Sequence, residues 1–155
     1  QKPTSLNEGS LQKCRVIYSR EIEEISIANY VVPSIASLKL VQHNDIDYAH
    51  KYTDRDLLNY LFGMREGCDD VLIVKDNLVT DTSYANILFF DGSNWHTPDS
   101  PLLAGTQRAH LLSKGLVEEA VIHHQEIHKF KKARLINAMI RFEDELDIEI
   151  KMIKA

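Results

Sequence analysis

The stretch Val79-Thr80-Asp81-Thr82-Ser83-Tyr84-Ala85-Asn86-Ile87-Leu88-Phe89 joins two strand-like runs through a polar turn. Taken alone, Asp81-Thr82-Ser83 reads as a turn closed by an Asx bond. Asn86, five residues on and directly before a strand, argues for more than a turn. On the N-terminal side, Val71-Leu72-Ile73-Val74 is a short apolar run of the kind buried strands use, and Lys75-Asp76-Asn77 turns it back into Leu78-Val79-Thr80, which predicts a hairpin. On the C-terminal side, Asn86 to Phe90 predicts a strand, Asp91-Gly92-Ser93-Asn94 a turn, and Trp95-His96-Thr97 its return, closed by Pro98 and Pro101.

Two helices flank this centre. From Asp54, which can cap the N-terminus, Leu57, Leu58, Leu61, Phe62 and Met64 recur at helical spacing, predicting a helix that ends near Gly67. Leu103-Ala104-Gly105-Thr106 leads into a second, with Leu111, Leu112 and Leu116 on its apolar face and Lys114-Gly115 near its end. The remaining patterns are strand-like: 13–20, 22–32 up to the break at Pro33-Ser34, Ser37 to Val41, Glu119 to Ile127, Ala133 to Ala138, and Leu146 to Ile153. Residues 42–50 read as a polar loop and residues 1–10 as a flexible lead-in. Many strands with two well-marked helices, and no internal repeat, predict an α+β fold rather than a regular βαβ array.

With 155 residues, the chain can bury one core and is too short for two full-sized domains. Apolar residues at 44% and charged residues at 26% are ordinary for a globular protein, and no apolar run approaches the roughly 18 residues of a spanning helix. The net charge of -5 is spread along the chain, which argues against nucleic acid as a partner. Lys129, Lys131, Lys132 and Arg134 form one basic cluster, read as a solvated edge. Cys14 and Cys68 have no metal spacing and read as reduced cytosolic thiols. His123, His124 and His128 share a segment but lack the H-E-x-x-H order; they are expected to be exposed strand residues, with no metal bound. Gln1 stands where an initiator methionine would, as in a trimmed product.

Three segments together supply what a pyridoxal phosphate site requires: a lysine amine for the aldehyde, a carboxylate for the pyridine nitrogen, and oriented backbone N–H groups for the phosphate. The first, His50-Lys51-Tyr52-Thr53-Asp54-Arg55, sits at a loop-to-helix junction. A lysine there is ordinarily surface decoration, but K-Y-T-D-R resembles the K-x-x-N-R pattern of the class IV aminotransferases, and particularly of the aminodeoxychorismate lyases. The resemblance implies that Lys51 is the Schiff-base and catalytic lysine, with Asp54 where the family often has asparagine. Lys39 competes as the cofactor lysine but lies in an apolar strand and lacks the following D-R.

The second, Thr80-Asp81 through Asn86 and Phe89, is similar to the family's T-E-x-x-x-x-N-hydrophobic-F element. It implies that Asp81 pairs with the protonated pyridine nitrogen and that Asn86 belongs to the same site. Asp81 is one methylene shorter than the usual glutamate and needs a closer approach. The third element has two parts. Leu102-Leu103-Ala104-Gly105-Thr106-Gln107-Arg108 resembles an L-x-G-hydrophobic-T-R turn, which implies Gly105, Thr106 and Gln107 at the phosphate. Leu135-Ile136-Asn137-Ala138-Met139 is similar to the lyases' C-N-A-L-M stretch, which places Asn137 and Ala138 there too; otherwise it is a strand end with a buried Asn. Arg108 is equally suited to a substrate carboxylate or to a structural ion pair, and Tyr30 and Tyr84 to the core or the cofactor, with the core favoured.

The resemblance runs over roughly residues 50–145 in the family's order. It implies the large C-terminal domain of the D-amino-acid aminotransferase-like fold, pyridoxal 5'-phosphate as cofactor, an amino acid or aminodeoxychorismate as substrate, and a cytoplasmic homodimer. Lys51 then moves the α proton, and the outcome is transamination or pyruvate-releasing elimination; K-x-x-D-R and I-N-A-M lean to the lyase. Family members carry a smaller N-terminal domain that is mostly missing here. Residues 1–45 are read as its remnant with linking strands, and 46–155 as the cofactor-binding domain. A fragment, a reduced member and a chain completed by another subunit are all compatible with this, as is a cofactor-binding scaffold without turnover. Arg15 and Arg20 are candidates to replace the arginine that the small domain contributes to the phosphate site.

Overall fold

The computed structural model describes residues 11–155; the lead-in at 1–10 lies outside the described residues. The chain divides into two units after Pro33. In the first, β1 (Gln12–Tyr18) and β2 (Ile22–Asn29) form an antiparallel hairpin. Its register sets Cys14 opposite Ile27 and Val16 opposite Ile25, alternating with Lys13–Ala28 and Arg15–Ser26. Arg15 and Arg20 are exposed, and Tyr30 is half-buried.

The second unit, Ser34–Ala155, is built from two sheets. β3 (Leu38–Gln42) pairs in parallel with β4 (Asp70–Lys75), which turns through Asp76-Asn77 into β5 (Leu78–Thr82). Both turn residues have positive φ, the backbone of a tight hairpin turn. Between β3 and β4 lies α1 (Asp56–Gly63), where the Oδ1 of Asp54 accepts the N–H of Asp56 at 2.9 Å. The helix stops a turn before Gly67, because Glu66 and Gly67 take positive φ. β6 (Asn86–Phe90) and β7 (Trp95–Pro98) form the second hairpin. α2 (Thr106–Ser113) and β8 (Glu118–Ala120) follow, then β9 (Lys132–Ile136), β10 (Asp147–Glu149) and β11 (Ile153–Lys154). The sheets run β10-β9-β6-β7-β8 and β11-β3-β4-β5.

Strand alternation decides which side chains meet between the sheets. Leu38, Leu72 and Val79 from one sheet and Ile87, Phe89, Ala133, Leu135 and Ile148 from the other share one core. The intervening residues face outward to the helices. Val71 and Ile73 pack with Leu58 and Leu61 of α1, while Leu88 and Ile136 pack with Leu111 of α2. The result is α+β, with one helix outside each sheet.

Four sequence expectations are corrected. The strand pattern at Glu119–Ile127 holds only to Ala120, and His124–Lys129 forms a 3-10 helix. Val79 N–H donates to Ile122 O and His124 N–H to Asn77 O, so this segment is tied to the β4–β5 hairpin and not to a continuing strand. His123 and His128 are exposed on that helical turn. Likewise, Leu146–Ile153 is broken by a 3-10 turn at Ile150–Met152. Arg134, expected at a solvated edge, is 3% exposed. It pairs with Asp147 (2.5 Å), donates to Phe142 O, and lies 4.6 Å from the ring centroids of Trp95 and Phe142. A charge run in sequence does not reveal that the partners of its last member arrive from β10 and from two rings that meet edge-on. Leu116 is also exposed, since α2 ends at Ser113 and Val117 takes the buried place.

Candidate active site

The turn between β5 and β6 is closed by Thr82. Its N–H and hydroxyl both donate to Ala85 O, and its Oγ1 accepts the Ala85 N–H. Three of the segments singled out in the sequence are fastened to this one turn. Arg55, the last residue of K-Y-T-D-R, donates to Ser83 O at 2.8 Å. Asn137 donates to Tyr84 O at 3.4 Å. Below the turn, Asn86 Nδ2 donates both to Asp81 Oδ1 (2.8 Å) and to Leu103 O (2.9 Å), and Leu103 N–H donates to Asp81 Oδ2 (3.0 Å). Residues scattered over more than 80 positions thus meet around four.

Asp81 is 5% exposed. Burial pushes its carboxyl up to about 6, against the Leu103 N–H, Asn86, the Leu102 N–H and the charge of Arg108, which favour ionisation. Above that pH it is a buried carboxylate in need of a cation. Gly105 caps α2 with an extended backbone (φ -68°, ψ 149°) and without a side-chain hydrogen bond, so the first-turn N–H groups of Thr106 and Gln107 are not taken by a cap. A Cβ at Gly105 would collide with Asn86 Oδ1 and lie 3.3 Å from its Cγ, which is the physical reason for glycine here. Asn137 and Ala138 form a turn: Asn137 Oδ1 accepts the N–H groups of Met139 (2.7 Å) and Ile140 (3.0 Å), leaving Ala138 exposed at the tip.

Lys51 lies on the exposed segment that leads to Arg55, between Tyr48 and Tyr52, whose rings meet edge-on at 5.9 Å. Arg108 is 6% exposed and donates to Pro98 O (2.8 Å) and Glu119 Oε1 (2.6 Å). Tyr84 packs against the main core. Lys39 pairs with Glu66 at 2.6 Å. Sequence reading did not anticipate that Arg55 and the backbone of Leu103 hold the site together. The D-R that distinguishes Lys51 from Lys39 was the available signal for Arg55, and nothing in the sequence singles out Leu103.

The family model for class IV amino-transferases matches residues 6–142. The chain belongs to that class IV aminotransferase family. A relative from Haemophilus influenzae (strain ATCC 51907 / DSM 11121 / KW20 / Rd), itself an uncharacterized protein, is 41% identical over 139 residues, 90% of this chain and 73% of the relative. A crystal structure from Haemophilus somnus 129pt, of a protein proposed to be a 4-amino-4-deoxychorismate lyase, is 36% identical with a TM-score of 0.83, over 86% of this chain and 69% of that one. The PLP-bound form of a hypothetical aminotransferase from Mycobacterium tuberculosis, at 17% identity and a TM-score of 0.68 over 84% of this chain and 58% of that one, shares the fold. Class IV aminotransferases use pyridoxal phosphate. The residues present fit that group: a buried carboxylate short of a cation suits a pyridinium nitrogen, and an uncapped helix N-terminus kept open by glycine suits a phosphate.

Replacing Asn137 with alanine removes the acceptor of two turn N–H groups and the tie to Tyr84. The expected cost is about 1–2 kcal/mol, read as a lower urea midpoint at unchanged slope.

Proposed function

We infer that this class IV protein is a pyridoxal-phosphate enzyme acting on amino acids, in which Lys51 is the amine that bonds the cofactor aldehyde. The observation that carries this reading is the convergence of Arg55, Asn137 and the Asp81–Asn86–Leu103 cluster on the Thr82–Ala85 turn. Bound pyridoxal phosphate supplies an electron sink for a carbanion at the substrate α carbon. Asp81 holds the charge at the ring nitrogen, assisted by Asn86. The N–H groups of Thr106 and Gln107, at the α2 terminus opened by Gly105, hold the phosphate together with the turn at Asn137-Ala138. Lys51 is the base that would take the substrate's α proton and return it. Arg108 is read as a structural ion pair, because its guanidinium already serves Pro98 and Glu119.

Between the two reactions, pyruvate-releasing elimination is favoured by the 36% identical Haemophilus somnus protein. A scaffold that holds cofactor without turnover is the second reading, because Lys51 stands on an exposed segment rather than in a closed pocket. The test is to add pyridoxal phosphate, reduce with borohydride and map the labelled peptide. Label on Lys51, and none on the Lys51→Ala variant, is the expected result; label on Lys39 or any other lysine overturns the assignment. Loaded protein given aminodeoxychorismate should release pyruvate, whereas amino transfer to an oxo acid identifies an aminotransferase, and neither product identifies the scaffold.

A further inference from the structure

Asp70, the first residue of β4, is fully buried and has no part in the chemistry above. Its Oδ1 accepts the N–H of Val71 at 2.8 Å, and its Oδ2 has no hydrogen-bond partner among the described residues. A buried carboxyl oxygen left in this state is costly, so its place calls for a reason. β4 pairs with β5 so that Leu72 lies opposite Thr82, which sets Asp70 level with the turn that follows β5. Ser83, the second residue of that turn, is the nearest polar group on that side: its hydroxyl and N–H oppose the upward push of burial on the Asp70 carboxyl without closing a hydrogen bond to Oδ2. Ser83 is also the residue whose carbonyl accepts from Arg55.

We propose that Asp70 is a positioning residue for the cofactor-ring acid: wedged under Thr82-Ser83 from β4, it holds the turn at the height that keeps Asp81 buried against Asn86 and Leu103. The role of Asp81 toward the ring nitrogen rests on the function proposed above; the mechanical link from Asp70 to Asp81 does not. Just before β3, Ser37 O accepts the Asp70 N–H at 3.3 Å, while the neighbouring Asp69 carboxylate is taken by Ser37 and the Ala36 N–H.

The test compares wild type, Asp70→Asn, Asp81→Asn and the double variant by three measurements: titration of the Asp81 carboxyl by NMR in cofactor-free protein, affinity for pyridoxal phosphate, and urea unfolding. Asp70→Asn is expected to move the Asp81 titration down from about 6 by about one pH unit as water reaches a loosened turn. It should weaken cofactor binding about tenfold, the size typical of residues supporting a ligand from behind, and add nothing on the Asp81→Asn background. A lower urea midpoint with unchanged Asp81 titration means that Asp70 is merely structural and overturns the proposal, as do additive losses of affinity. If Asp81→Asn itself leaves affinity unchanged, the ring-nitrogen reading fails while the titration still decides the link. Should Asp70→Asn not fold, Ser83→Ala removes the facing hydroxyl and must shift the same titration; no shift there overturns the proposal equally.

Discussion

Gly105→Ala is expected to lower the stability of the cofactor-free protein by about 3–4 kcal/mol and to abolish tight cofactor binding. Backbone strain is not the cause, because the φ of -68° suits any residue. The cause is Asn86. The new methyl would occupy the space of Asn86 Oδ1, and Asn86 is not a loose chain end: it is 5% exposed and held to both Asp81 and Leu103. To make room it must give up two hydrogen bonds of about 1 kcal/mol each, on top of about 1–2 kcal/mol of overpacking. Urea unfolding measures the loss. Asn86→Ala on the Gly105→Ala background should recover part of it by removing the clash; a single variant within about 0.5 kcal/mol of wild type would falsify the account.

The second large effect is a pH dependence centred on Asp81. Its folded-state value of about 6 stands above the ordinary 3.8, so the folded chain holds a proton that the unfolded chain releases first. Stability contributed by the neutral acid is present below pH 3.8 and lost as pH rises to about 6. The whole interval corresponds to about 3 kcal/mol. Asp81→Asn cannot titrate. The stability difference between the two proteins should therefore shift in favour of the variant by about that amount over this interval, whatever fixed cost the amide incurs against Leu103 N–H or Asn86 Nδ2. Comparing the two proteins cancels the other carboxylates. With pyridoxal phosphate bound, a ring cation beside Asp81 should flatten the wild-type profile. A parallel pair of curves in the cofactor-free proteins would show that Asp81 is solvated and not poised for a ring.

Legibility differed between fold and site for physical reasons. The two hairpins were readable because Asp76-Asn77 and Asp91–Asn94 are turn formers between runs of β-branched and aromatic residues, and such signals are local. Both helices were readable from their apolar spacing, though α1 ends earlier than the pattern suggests, because the positive φ at Glu66 and Gly67 is set by the turn into β4. The 3-10 helix at His124–Lys129 was not readable. Its β-like start is diverted by backbone bonds to Asn77 and Val79, some 45 residues upstream.

The order Lys51, Asp81, Asn86, Gly105, Asn137 is written in the chain, and from it the family and its cofactor could be expected, since motif order survives without coordinates. Which of these groups touch could not. That Asn86 bridges Asp81 to Leu103, that Arg55 and Asn137 grip one turn, and that Arg134 and Asp70 are buried were decided by the packing of the two sheets. Spacing along a chain specifies local backbone conformation, whereas burial, and with it the charge state of a carboxyl, depends on which distant strands and turns close over it.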